Sequence, residues 1–231
     1  GMVDAAIGGK TAVDLAGLKN MVGMFHDPLA VYIHLPFLRT LGKRELLNGL
    51  AEMIKHVLVW DANLWENIGK THLHDLDALA PVVARSAAIK AEVVMQDPRE
   101  TGLRKVLNFG HTIGHAVEAH SWESPQQVLL HGEAVAIGMV CESWLSWRLD
   151  LLPREDHDRI AAQLLAIYRP YRFESTDHHR LIELMRNDKK NSGGRFRFTL
   201  LNAIGKATVD VPVNAAQVQD ALEHYRLLVR I

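Results

Sequence analysis

His111 and His115 stand four residues apart in Leu107-Asn108-Phe109-Gly110-His111-Thr112-Ile113-Gly114-His115-Ala116. On a helix they share one face, one turn apart, and neutral imidazoles so placed suit a divalent metal such as zinc. A glycine precedes each histidine, at a helix-propensity cost of up to about 1 kcal/mol apiece. That cost points to close approach of another backbone or of a ligand. A pair of helix-surface histidines, with glycines for tight packing, is the plainer reading of the same spacing. No glutamate directly follows His111, so the zinc-protease pattern is absent. His131, in His131-Gly132-Glu133-Ala134-Val135, stands at a helix start, where it can point into a bundle or simply cap the helix. Glu52, in Gly49-Leu50-Ala51-Glu52-Met53-Ile54-Lys55, lies among apolar residues on a face of buried character. A lone buried carboxylate is costly unless it is paired or metal-bound. Two histidines and a carboxylate leave a fourth position for water or substrate, the arrangement of a catalytic zinc. The sequence leaves open whether these side chains meet.

A second set of residues is cationic. Lys10 follows Gly8-Gly9, Lys19 precedes Asn20, Lys55 lies one turn after Glu52, and Lys90 sits in the apolar stretch Ser86–Met95. Arg104 lies one turn before Asn108, and Lys189-Lys190 precede Asn191-Ser192-Gly193-Gly194. Each is also readable as a solvated face charge. Arg104 and Lys90 are the better candidates, because their helices carry long apolar faces. Converging Arg, Lys and Asn side chains would hold a phosphate or carboxylate. Gly8-Gly9-Lys10-Thr11 resembles part of a P-loop but lacks that motif's spacing.

The elements that must position these groups change character near residue 42. Before it, Thr11-Ala12-Val13 and Asn20 to Phe25 read as short strands separated by Gly17, and Leu29 to Ile33 as a better strand ended by Pro36. Such strands make a poor fold alone and look like a ribbon that pairs with something larger. From Lys43, Leu46, Leu47, Leu50, Met53, Ile54, Val57 and Leu58 follow helical spacing. A helix begins at Asp75-Leu76-Asp77 and stops before Asp97-Pro98. Further helices are expected over roughly 104–120, 132–149, 154–168, 177–187 and 215–229, with a small hairpin over 195–201 and 206–211. The expected fold is mainly α: residues 1–41 as short strands and loops, and residues 42–231 as one helical bundle.

Composition sets the outer limits. The 231 residues suffice to bury a sizeable core. Twenty-six Lys and Arg against 27 Asp and Glu give a formal net charge of −1, with no broad pull toward nucleic acid or anionic membrane. Any anion must be held by a local cluster. The single cysteine, Cys141, excludes an internal disulfide and suits a reducing compartment. No apolar run reaches the ~18 residues of a membrane helix, and the first residues carry no signal segment. The expectation is a cytoplasmic protein. Of the 13 histidines, His26, His34, His56, His72, His74, His120, His157, His178, His179 and His224 read as surface or helix-end residues.

Taken in order, Val3 to Thr11, Lys19 to Gly23, Leu38 to Leu41, Ala51 to Lys55, Leu107 to Ala116, His131 to Val135 and Asp188 to Lys190 resemble the dehydroquinate synthase family of sugar phosphate cyclases. Ile204-Gly205-Lys206-Ala207 extends the match. The resemblance implies Glu52, His111 and His131 as ligands of zinc or cobalt, with His115 on the substrate side. It implies Lys55, Arg104, Asn108 and His115 as catalytic, and Asp4, Lys10, Asn20, Lys90 and Lys190 as substrate-binding. Lys10, Lys19, Phe37, Leu38, Arg39 and Thr40 resemble positions that touch NAD. The family reaction cyclises a phosphorylated seven-carbon sugar acid. NAD takes a hydride and later returns it, phosphate leaves by elimination, and the ring reopens and closes as a carbocycle. Metal and cations polarise and position the substrate.

Two local departures stand out. Ala5-Ala6 follow Asp4 where the family usually has a hydroxyl residue, and Leu18 precedes Lys19 where it usually has glycine. Retention of Lys90, Arg104, Asn108 and His115 favours dehydroquinate synthase over relatives that make other cyclitols. The family also places a nucleotide-binding α/β domain before the first motif. The resemblance therefore implies a chain that binds metal but has little synthase activity alone, with strands of residues 1–41 disordered or paired with a second copy in a homodimer. A non-catalytic metal-binding helical domain, another sugar phosphate cyclase and a metal phosphohydrolase are the alternatives.

Overall fold

The computed structural model describes residues 1–15, 18–123, 128–186 and 195–230. Its centre is helix α5 (His131–Arg148), which packs against α1 (Lys43–Trp60), α4 (His111–Trp122), α6 (Arg154–Ile167), α8 (Ala215–Leu228) and strand β3 (Phe196–Ala203). Every residue from Ala134 to Ser143 is buried, and a helix that is apolar all round belongs in a core. Helix α1 behaves alike over Leu50 to Val59, with Glu52, Lys55 and His56 inside that buried run. Helices α2 (Trp65–Ile68), α3 (Leu76–Gln96) and α7 (His178–Arg186) complete the bundle. Asp75 caps α3 by accepting from the Asp77 and Ala78 amides at 3.0 and 3.1 Å. Strand β3 pairs antiparallel with β4 (Lys206–Val213) as the expected hairpin. Mainly helical architecture with short N-terminal strands and a small hairpin is what the sequence led one to expect.

At the start of the chain, β1 (Lys10–Leu15) pairs antiparallel with β2 (Leu18–Phe25), Val13 opposite Val22. The two strands thus satisfy each other, where the sequence reading left them without partners. The expected strand over Leu29 to Ile33 is absent. That stretch has no ladder partners, and Leu29, Val31 and Tyr32 are exposed. A 3-10 turn follows over Leu35–Thr40, with Pro in its first turn.

The expected helix over 104–120 is two elements. A 3-10 segment, Leu103–Asn108, ends at Phe109, and α4 begins afresh at His111. Gly110 between them has φ +78, a left-handed conformation that glycine adopts without penalty. Three of the histidines read as surface or helix-end residues are buried: His56 and His157 inside helices, and His178 at the start of α7. Among the described residues no helix is long and apolar enough to cross a membrane.

Candidate metal centre

Three elements bring Glu52, His111 and His131 together. Glu52 is in the buried middle of α1, His111 is the first residue of α4, and His131 is the first residue of α5. Glu52 Oε1 lies 3.6 Å from His111 Nε2 and 3.3 Å from His131 Nε2. A tetrahedral ion with bonds near 2.1 Å has ligand-to-ligand edges of about 3.4 Å, so these separations suit one ion held between the three atoms. Both Glu52 oxygens are buried; Oε2 meets the Lys55 ammonium, whereas Oε1 faces only the two imidazoles. A buried carboxylate oxygen turned toward two neutral imidazoles is costly without a cation between them.

The imidazoles are oriented from behind. His111 Nδ1 lies 3.1 Å from the Phe109 carbonyl, which can only accept, so the Nδ1–H donates and Nε2 is left as the base. His131 Nδ1 lies 3.1 Å from Glu118 Oε2, the carboxylate–histidine pairing that raises ligand basicity. Burial, and next the Lys55 ammonium, hold His111 well below the ordinary imidazole range, so it stands neutral. Burial would raise the Glu52 carboxyl, but Lys55, with His111 and His131, holds it well below the usual carboxylate range. His115 completes a cluster whose ring nitrogens lie within 4.8 Å of one another. Its ring centroid is 5.2 Å from that of His111 and 5.7 Å from that of His131. Two donor sets therefore compete: three histidines, or Glu52 with His111 and His131. The second brings Glu52 Oε1 to 3.6 and 3.3 Å from the two Nε2 atoms and supplies the negative charge that offsets a dication.

Beside this centre lies an ion-pair cluster. Lys55 Nζ is 2.5 Å from Glu52 Oε2 and 3.7 Å from Asp4 Oδ1, and Lys90 Nζ is 2.6 Å from that same Asp4 oxygen. Burial would raise the Asp4 carboxyl, but Lys55, His56 and Lys90 hold it well below its ordinary value. Burial lowers Lys90 despite Asp4. It opposes Lys55 too, yet Glu52 and Asp4 raise that ammonium. His56 Nε2 is 3.5 Å from Asp4 Oδ1 and its Nδ1 is 2.8 Å from Ser86 Oγ. Asp4, Glu52 and His56 could also hold an ion by spacing alone, but the two ammoniums already neutralise that pocket.

The remaining expected residues fall into three groups. Arg104, 2% exposed, donates to the Pro98 carbonyl at 2.7 Å and to the Gly8 carbonyl at 2.8 Å, so in this arrangement it ties the first segment to the 97–104 loop. Asn108 Nδ2 donates to Glu100 Oε1 at 2.7 Å, and Lys10 pairs with the other oxygen of Glu100. Phe37, Leu38, Arg39 and Thr40 lie in the surface 3-10 turn; Phe37 is 68% exposed, and Thr40 Oγ1 donates to its carbonyl. Lys19 and Asn20 lie on β2 with side chains outside the described residues, as is all of Lys190.

The sequence reading missed Glu118, His56, Ser86 and Glu100. Glu118 was findable, since it follows His111 by seven residues and so shares that face of α4. Glu100 sits in a loop at φ +57, where no periodic signal exists.

Comparison with known proteins follows the same lines. A family model described as 3-dehydroquinate synthase C-terminal matches residues 49–191, and one described as 3-dehydroquinate synthase N-terminal matches residues 1–48. The 3-dehydroquinate synthase of Parabacteroides distasonis is 43% identical over 229 residues, covering 97% of this chain and 64% of the relative. That of Thermoanaerobacter pseudethanolicus is 40% identical over 212 residues, covering 90% and 58%. The chain thus spans about three fifths of the length of these curated relatives. Among solved structures, a 2-epi-5-epi-valiolone synthase from Streptomyces hygroscopicus subsp. jinggangensis, with NAD+ and Zn2+ bound, superposes with a TM-score of 0.87 at 29% identity. The match covers 99% of this chain and 64% of that one. A 2-deoxy-scyllo-inosose synthase complexed with carbaglucose-6-phosphate, NAD+ and Co2+ gives 0.83 at 22% identity, covering 96% and 64%. At that identity the likeness concerns fold alone.

Proposed function

The chain belongs to the 3-dehydroquinate synthase family, and from that premise we propose that it carries the metal- and substrate-binding part of a 3-dehydroquinate synthase. The reaction is conversion of 3-deoxy-arabino-heptulosonate 7-phosphate to 3-dehydroquinate and phosphate. The observation that carries this reading is the convergence of Glu52 Oε1 with two Nε2 atoms whose rings are anchored through Nδ1, beside a buried pair of ammoniums.

Glu52, His111 and His131 would hold zinc or cobalt. When bound, the metal would supply Lewis acidity toward a substrate hydroxyl, and NAD a reversible hydride acceptor. The chain's own residues position and neutralise. Lys90 and Lys55 hold anionic groups of the substrate, and Asp4, their partner at 2.6 and 3.7 Å, balances those charges while the pocket has no substrate. Desolvation of both lysines strengthens each contact relative to water. His115, not needed as a ligand, is left to face the substrate and shuttle a proton. Asn108 and Lys10, linked through Glu100, extend the polar wall, with Arg104 behind them fixing the loop. Asn20 and Lys190 take the remaining substrate contacts.

Residues 1–41 read as part of the nucleotide-binding unit, with Lys10, Lys19 and the Phe37 to Thr40 turn toward NAD. Supporting this, Val13, Val22, Met24, Phe25, Tyr32 and Phe37 are more than half exposed, an apolar surface of the kind that marks an interface. Residues 42–231 form the metal- and substrate-binding unit. The complete enzyme on this reading is a cytoplasmic homodimer that acts on a phosphorylated sugar acid.

Calorimetric titration of the zinc-loaded chain with the heptulosonate phosphate tests the reading. Binding should require zinc and weaken at least tenfold in Lys90→Met. Equal affinity with and without zinc, or in the variant, would overturn it.

A further inference from the structure

We propose that Glu142, from within α5, is a positioning residue that sets how α4 presents His111 to Glu52 and His131, an inference that rests on the metal-site reading above.

The first turn of any helix leaves amides without partners inside the helix. Helix α4 has no side-chain cap of its own, because its N-cap residue is Gly110. The cap comes instead from another helix. Glu142 is fully buried. Its Oε2 accepts from the Gly110 amide at 2.6 Å and its Oε1 from the Ile113 amide at 3.1 Å. These amides flank His111, the first residue of α4.

A local Ser or Asp cap would satisfy the same amides without fixing α4 relative to anything else. A carboxylate reaching across from α5 does fix it. The two oxygens grip amides on either side of His111, which restrains both the sliding and the roll of α4 against α5. Helix α5 itself begins at His131, so one rigid element carries a proposed ligand at its start and the clamp for the other's helix near its middle. One turn before the clamp, Gly138 lies against the Gly110 carbonyl so closely that a Cβ there would stand 1.9 Å from that oxygen. Gly138 permits the close approach, and Glu142 fixes the position along it. Neither residue touches the proposed metal position, so Glu142 acts through His111.

The test compares Co2+ binding and the visible Co2+ spectrum in wild type, Glu142→Gln, Glu142→Asp and Leu222→Ala. The last removes a buried side chain on α8 and controls for lost stability. Glu142→Gln should bind Co2+ 10- to 100-fold more weakly, the range for loss of an outer partner, with an altered d–d band. In the metal-free protein its Ile113 amide should exchange faster than in wild type. Glu142→Asp, with the carboxyl group kept on a shorter arm, should fall between, and it carries the test if the glutamine variant does not fold. Leu222→Ala should match wild type in affinity and spectrum. Wild-type affinity and spectrum in both Glu142 variants, or an equal loss in Leu222→Ala, would overturn the proposal. Failure of the wild type to bind Co2+ would instead remove the metal reading on which it rests.

Discussion

Lys55 Nζ lies 2.5 Å from Glu52 Oε2, one turn further along α1, while Glu52 Oε1 faces the imidazoles of His111 and His131. One carboxylate therefore serves two partners, an ammonium through one oxygen and the metal position through the other. Lys55 is 1% exposed, so this division is a matter of stability as well as of binding.

Removing the charge separates the two roles. Glu52→Gln strips Lys55 of its nearest counter-charge and should cost the metal-free chain about 3 kcal/mol, as well as abolishing tight metal binding. His131→Ala removes a side chain that is one third exposed. It should lose metal affinity at least a hundredfold, with under about 1 kcal/mol of change in the metal-free protein. Urea denaturation with and without chelator measures both quantities. Equal destabilisation by the two substitutions would show that the Lys55 contact is unimportant.

Glycine spacing in the histidine segment has a packing cause that can be checked directly. At Gly138 a Cβ would meet the Gly110 carbonyl at 1.9 Å, whereas at Gly49, mid-helix in α1, nothing lies within 4 Å. Gly138→Ala should destabilise by about 3 kcal/mol or more, because backbone must move. Gly49→Ala should be neutral or stabilise by about 0.5–1 kcal/mol through helix propensity. Thermal melts of the pair decide it, and a harmless Gly138→Ala would mean that α4 and α5 do not cross this closely.

These cases mark what the sequence could and could not reveal. Long helices were legible because apolar periodicity and caps such as Asp75 are local signals. The break at Gly110 was not, since a glycine between apolar residues reads equally as helix interior, and its left-handed φ depends on α5 lying against it. Glu52 was legible as a carboxylate in an apolar run, yet its oxygens' division between Lys55 and the imidazoles needed three separate elements in space. His157 failed for the same reason. Its flanking residues, Asp156 and Asp158, are polar, but the face it presents is covered by α5 and α8.

That buried histidine gives the stability a pH dependence. His157 Nδ1 lies 2.9 Å from Ser143 Oγ, whose own hydrogen goes to the Val140 carbonyl, so His157 donates there and accepts from His224 Nε2 at 3.0 Å. Burial, with His224 adjacent, lowers His157 to about 4. The unfolded chain takes up that proton near pH 6.5, so the unfolded state binds more protons between those values. Stability should be complete above about pH 6.5 and decline by about 2–3 kcal/mol as the pH falls toward 4. Urea midpoints at pH 7.5 and 5 should differ less in His157→Gln than in wild type. An unchanged difference would assign the acid sensitivity to other groups.

The identity of the metal donors is the central claim, and X-ray anomalous diffraction from the zinc-loaded protein tests it most directly. The account predicts one ion at about 2.0–2.2 Å from a Glu52 oxygen, His111 Nε2 and His131 Nε2, with His115 outside bonding distance. An ion bound by His111, His115 and His131, with the Glu52 carboxylate out of reach, would contradict it.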